Sequence, residues 1–355
     1  MNKSGRPFRV GLLGYGFAGK TFHAPLIAAC ESLSLHAVAS RDAAKVHADF
    51  PDATVYRAPE DLIADDMIDL VVIATPNDTH APLARAALEA GRDVVVDKPF
   101  ALNLEEARGL IALAKARGRQ LQVFHNRRWD SDFLTIRRAI ESGLLRRVTH
   151  FESRIDRFRP QVRDRWREHA VPGAGIWFDL GPHMVDQALA LFGLPDSVTA
   201  SIATQRDGAQ IDDWAHAVLN YGERRVIIHA GMLVAGGSAR FTVHGTGGSA
   251  VKAKADGQEA QLLSGIRPGA PGWGEDADDL IFFSGSGEPR TIAATAGDQR
   301  GFYTAVASAL AGEGPLPVRP IEALAVMAVL EAGAASARDG CTMQLPLTPD
   351  ERALW

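Results

Sequence analysis

The chain has 355 residues, 46% of them hydrophobic, a formal net charge of −5 and a pI near 6.1. That length suits two domains better than one, and the acidic balance argues against nucleic acid or an anionic membrane surface as a main partner. No apolar run reaches the roughly 18 residues needed to span a bilayer, and the opening stretch MNKSGRPFRV lacks the apolar core of a secretory signal.

The first third alternates strand and helix signals. Phe8–Leu13 is a short apolar run, followed by a glycine turn and a helical stretch from near Ala18 to about Ser32. Leu33–Ala39 reads as a second strand, Asp42–Phe50 as a helix and Ala53–Tyr56 as a short third strand. Leu70–Ala74 and Asp93–Val96 are rich in β-branched residues, the mark of strands buried on both faces. Thr79–Ala90 and Leu104–Arg117 read as helices stopped by Gly91 and Gly118, and Leu121–Phe124 as a sixth strand. Six strands with intervening helices predict a doubly wound parallel sheet over residues 1–124.

After His125 the pattern changes. A helix over about Ser131–Glu141 precedes segments with partial alternation at Val148–Phe158, Val198–Gln205, Trp214–Tyr221, Arg225–Leu233, Arg240–His244 and Ser249–Lys254. These predict a mostly antiparallel sheet with helices on one face, an α+β domain over residues 125–355. Two late helices are expected near Gln299–Leu310 and Ile321–Ala335, and the Gly-, Pro- and Asp-rich stretch 264–290 reads as surface loop. Cys30 and Cys341 form neither a disulfide framework nor a metal-type cluster, and read as two buried thiols of a cytoplasmic protein.

Gly14-Tyr15-Gly16-Phe17-Ala18-Gly19 is a GxGxxG between a strand and a helix. In that setting Gly14 permits the turn, Gly16 lets phosphates approach, Gly19 allows close helix–strand packing, and the helix start faces a pyrophosphate. An NAD site usually places Asp or Glu at the end of the second strand. Here the chain reads Ala39-Ser40-Arg41-Asp42. Arg41 can pair with a 2′-phosphate and Ser40 can donate to it, which favours NADP with NAD the alternative. Asp42 reads as the cap of the next helix. Lys98, between a buried strand and Pro99, either faces a site or points into solvent. Asp179 and His183 stand four residues apart, one face of a helix. Because of Pro182 that helix is expected to begin near Asp179 or Leu180 and to end at Gly193.

GLLGYGFAGKTFH, ATPNDTH (74–80), DKP (97–99) and DLGPH (179–183) together resemble the Gfo/Idh/MocA family of oxidoreductases. The likeness is strongest to its NADP-dependent inositol dehydrogenase-like branch, through VVVDKPF, FHNRRWDSDF and RFRPQVRDRWRE. The resemblance implies that Thr75, Pro76 and Asn77 line the nicotinamide ribose, with His80 structural or in ribose contact. It implies that Asp97 and Lys98 adjoin the cofactor and that Lys98 also contacts the substrate hydroxyl. Relatives often carry Glu where this chain has Asp97, and their Lys-Pro bond is often cis.

By the same resemblance His183 is the acid/base and Asp179 its charged neighbour, both beside the substrate. Asn126 and Arg127 are expected to border that substrate, a small polyol, inositol or sugar, with no metal required. Arg157 and Trp166 either reach the substrate or belong to a solvated charge run. The activity implied is reversible oxidation of a secondary alcohol. Reduction of another carbonyl or imine, or cofactor binding without catalysis, stay open. A homo-oligomer, dimer or tetramer, joined through the second domain's sheet is also implied.

Overall fold

A computed structural model of the chain describes residues 5–355. Its contacts divide into two units. One comprises the chain through Asn126 together with Gln258–Trp273 and Asp298–Leu324; the other comprises Arg127–Gly257, Gly274–Gly297 and Ala325–Trp355.

The first unit is built on a six-stranded parallel sheet of β1 (Phe8–Leu13), β2 (Leu33–Ala39), β3 (Thr54–Tyr56), β4 (Leu70–Ile73), β5 (Asp93–Val96) and β6 (Leu121–Val123). The strand order is β3-β2-β1-β4-β5-β6. β1 and β4 lie side by side where the winding reverses, the position at which such sheets open a crevice beyond their strand ends. β4 is buried along its whole length, as are Val94–Val96 of β5, which explains the unbroken Val/Ile runs. The helix Leu104–Arg117 shows why the local signals worked. The Asn103 side chain caps it by accepting from the Glu106 N–H at 2.9 Å, and Gly118 ends it at φ +61°. The late helix Arg300–Ala311 folds with this unit, far from it in sequence.

The second unit carries an eight-stranded sheet. Its strands are β7 (Val148–Asp156), β8 (Ser197–Ala203), β9 (Trp214–Tyr221), β10 (Arg224–Gly231), β11 (Phe241–Gly245), β12 (Gly248–Lys252), β13 (Leu280–Phe283) and β14 (Arg290–Ile292), in the order β14-β13-β12-β11-β7-β10-β9-β8. Every pairing is antiparallel except β7 with β10. Phe151, Ala217, Leu219, Val226, Ile228 and Val243 form its buried face, against which the helix Ile176–Phe192 packs. Behind that helix lies Pro320–Asp339, in close approach: a Cβ on Gly333 would meet the Trp177 ring at 2.6 Å, and Trp177 Nε1 donates to the Leu330 carbonyl at 3.0 Å.

Four expectations are corrected. The stretch expected as surface loop contains β13, which pairs with β12 and carries β14 at the sheet edge. The helix expected from Asp179 begins at Ile176 and holds Pro182 in its interior. Its start is capped from outside the helix: the Ile176 N–H donates to the Asp212 carbonyl at 2.9 Å and the Trp177 N–H to the Asp212 carboxylate at 2.8 Å. Cys30 is buried as expected, whereas Cys341 is exposed. Finally, Pro320–Asp339 is long and apolar enough to cross a bilayer by length and composition, but 61% of its apolar window is buried inside the protein, as in a core helix.

Candidate active site

In the first unit the glycine turn sits at the reversal point. Gly14 adopts φ +94° and donates its N–H to Ala39 O, the end of β2, at 3.1 Å. A Cβ there would lie 2.7 Å from Ala74 O. A Cβ on Gly19 would lie 2.1 Å from Gly14 O, so helix and turn touch backbone to backbone. At Gly16 a Cβ would meet nothing within 4 Å, and the next side chain, Phe17, is 55% exposed. Two glycines are thus needed for packing and the middle one faces open space, as a pyrophosphate requires. The helical run 17–28 then contains a π-turn over Gly19–His23, which buries both of those residues. Such single wide turns are frequent at functional sites. The Tyr15 ring is buried and its hydroxyl donates to Asp49 at 2.8 Å.

At the end of β2, Asp42 caps the next helix by accepting from the Lys45 N–H at 3.0 Å, and the Asp42 N–H in turn donates to Ser40 Oγ at 3.1 Å. Arg41 is exposed. Lys45, which sequence reasoning missed, reaches back so that its ammonium donates to Tyr15 O at 2.9 Å. The carboxylate nearest in sequence is therefore engaged in capping, and Lys45 reaches the turn.

The ends of β4 and β5 are braced together. His80 is fully buried, with Nδ1 2.8 Å from Pro99 O and Nε2 3.0 Å from Thr75 O. It joins the Thr75-Pro76-Asn77 turn to the Lys98-Pro99 turn, whose peptide is cis. Asn77 is buried, and Thr75 and Thr79 are linked through their hydroxyls at 2.6 Å. Asp97 and Lys98 are both buried. The Lys98 N–H donates to Asp97 Oδ1 at 2.8 Å. Burial alone would raise the Asp97 carboxyl, but His23, Lys98 and His80 overcome it and hold it at about 2. Asn126, the last residue of this stretch of the unit, is also buried.

In the second unit the helix Ile176–Phe192 carries Asp179 in its first turn and the buried His183 one turn later. Asp179 lies 3.5 Å from Arg167 Nε, and Arg167 stacks over the Trp166 ring at 4.8 Å. The arginine-rich stretch is only partly a solvated run. Glu168 gathers Arg165 at 2.7 Å and Arg206 at 3.0 Å, and Arg206 also pairs with Asp213 at 2.8 Å. Arg127 pairs with Asp130 at 2.9 Å. Arg157 continues the backbone pairing of β7 by donating its N–H to Gly231 O at 2.9 Å. The helix is anchored further along by Arg128 on Asp186 at 2.7 Å and by Gln187, which accepts from Arg240 at 2.7 Å.

Comparison with known proteins agrees with both halves. Residues 8–125 match the family described as "Oxidoreductase family, NAD-binding Rossmann fold", and residues 137–345 match its "C-terminal alpha/beta domain". The chain belongs to the Gfo/Idh/MocA oxidoreductase family. Within that family it is 53% identical to the uncharacterized oxidoreductase YdgJ of Escherichia coli, over 95% of this chain and 98% of that one. It is 35% identical to the scyllo-inositol 2-dehydrogenase (NADP(+)) IolW of Bacillus subtilis, over 95% and 96% respectively. A solved structure from Klebsiella pneumoniae shares 57% identity and superposes with a TM-score of 0.93, covering 98% of both chains.

Proposed function

We propose that the protein is an NADP-preferring dehydrogenase that reversibly oxidises a secondary alcohol of an inositol, another polyol or a sugar. The observation that carries this reading is the similarity, along nearly the whole chain, to a relative named as an NADP⁺-dependent inositol dehydrogenase. The open Gly16 and the exposed Arg41, with Asp42 engaged in capping, fit such a cofactor. When bound, the nicotinamide supplies the hydride acceptor and donor. In this reading Lys98 hydrogen-bonds the alcohol oxygen and stabilises negative charge developing on it. His183 accepts the hydroxyl proton in oxidation and returns it in reduction, work that suits an imidazole near neutral pH. Asp179 orders the neighbouring charges, and Asn126, Arg127, Arg157 and Trp166 are the candidate substrate contacts. Self-association through the second unit's sheet belongs to the same reading, since helices cover one face and Ile227, Val218 and Trp214 stand on the other.

The test is absorbance at 340 nm, with NADP and a panel of inositols and sugars in the oxidative direction and with NADPH and other carbonyl or imine compounds in the reductive direction. Turnover of an inositol or sugar that Lys98→Ala lowers by about 10²-fold or more, with NADPH still bound, is the expected outcome. NADPH binding without turnover of any alcohol would instead indicate a regulatory protein. Turnover confined to an imine or another carbonyl would reassign the substrate class.

A further inference from the structure

Behind Lys98 lies a buried chain of three polar groups drawn from three distant parts of the sequence. His23 ends the π-turn Gly19–His23, Asp97 directly follows β5, and Tyr303 stands on the helix Arg300–Ala311. The Tyr303 hydroxyl is 2.6 Å from His23 Nδ1, and His23 Nε2 is 3.8 Å from Asp97 Oδ1. That same oxygen accepts the Lys98 N–H at 2.8 Å. His23 and Tyr303 are fully buried among aromatic rings: Phe124 lies 4.2 Å from the imidazole, and Phe302 packs edge-on to Phe124 at 4.9 Å.

Asp97 is ionised at neutral pH, so it accepts only; at 3.8 Å its contact with Nε2 is electrostatic rather than a hydrogen bond, and the Nε2–H tautomer is the one that suits it. In that tautomer Nδ1 is an acceptor, and the Tyr303 hydroxyl donates to it at 2.6 Å. Burial, with Asp97 adding to it, pushes the Tyr303 phenol well above its ordinary range, so that donor is retained. A buried hydroxyl and imidazole cost stability that apolar residues would not; Tyr303 and His23 partner each other, while among the described residues His23 Nε2 has no hydrogen-bond partner and faces the Asp97 charge at 3.8 Å. The chain ends at the carboxylate that adjoins Lys98. The groups facing Asp97 are His23 from the π-turn, His80 from the helix His80–Glu89, Lys98 beside it in sequence, and Tyr303 from the late helix.

We propose that Tyr303 and His23 are positioning residues that hold the Asp97 carboxylate against Lys98, so that a helix far away in the sequence sets the lysine's charge state and direction. The role rests on the reading of Lys98 given above.

The test has one arm that needs no turnover. Competitive acylation of lysines across pH, read by mass spectrometry on the full chain, gives the titration midpoint of Lys98. Tyr303→Phe and His23→Asn are expected to lower that midpoint by about one unit, because a loosened carboxylate favours the charged amine less. His23→Gln, whose amide nitrogen can replace Nε2, is expected to stay near wild type. With an alcohol substrate, Tyr303→Phe should lower kcat about tenfold and move its pH profile, with the substrate KM within about twofold. Folded Tyr303→Phe and His23→Asn variants that keep the wild-type midpoint would overturn the proposal. If the variants fail to fold, ring ¹⁵N shifts of the wild-type protein decide: the Nε2–H tautomer of His23 supports it and the Nδ1–H tautomer overturns it. A wild-type protein that oxidises no alcohol would remove the proposed function and leave the labelling result to judge the positioning role.

Discussion

Arg41 and Asp97 show how differently a charged residue acts when exposed and when buried. Arg41 stands exposed at the end of β2, and in the proposed function it pairs with the cofactor's 2′-phosphate. Charge-assisted hydrogen bonds of this type contribute about 1.5–3 kcal/mol. Arg41→Ala should therefore lower kcat/KM for NADP about tenfold or more relative to NAD, and an unchanged ratio would remove the case for NADP preference. Asp97 is held at about 2, below its ordinary 3.8, so the unfolded chain binds its proton more readily than the folded one. Its contribution to stability is complete above about pH 4 and is lost as pH falls toward about 2. Thermal melting should find Asp97→Asn less stable than wild type near neutrality, with the gap closing on acidification. A gap independent of pH would mean the carboxylate is not stabilised as described. Lys98 was singled out by the resemblance of DKP to the family's motif; the GxGxxG pattern and the Asp42 cap were legible because their signals lie within a few residues of chain. The roles of His23 and Tyr303 were not, because nothing near either residue in sequence announces the other.

Among the elements, the π-turn after β1 is tightly constrained. Gly19 presses on the Gly14 carbonyl, a backbone atom that cannot move aside as a side chain would. Gly19→Ala should cost a few kcal/mol of stability by overpacking and weaken NADPH binding, measured by melting and by cofactor fluorescence. Wild-type values for both would refute the packing described here. The helix Ile176–Phe192 makes the complementary point. Pro182 argued for a late start, yet the helix begins three residues before Asp179, because Asp212 supplies acceptors for its first N–H groups from another part of the chain. β13 was hidden for a similar reason: Leu-Ile-Phe-Phe is too short to stand out in Gly- and Asp-rich surroundings, and only pairing with β12 makes it a strand.

At the scale of the molecule, the first unit draws on residues beyond 257 and beyond 297 as well as on the N-terminal stretch. The second unit's sheet buries Val226 and Ile228 on its helix-covered face and carries Ile227 on the other. If copies join through that open face, light scattering will give a multiple of 38.0 kDa, and Ile227→Asp will reduce it toward the single-chain mass while NADPH binding persists. A wild-type protein scattering as one chain would end the oligomer proposal.

Taken alone, the amino-acid order determined the doubly wound sheet and the glycine turn, since these rest on periodicity and on residues a few positions apart, and it carried the family through the resemblance of its short motifs. Tertiary structure decided which buried groups meet. It placed Tyr303 on His23, Asp212 at a helix start, and His80 between two turns. The physical reason is that a buried polar atom must find a partner somewhere in space, and the chain order does not say where.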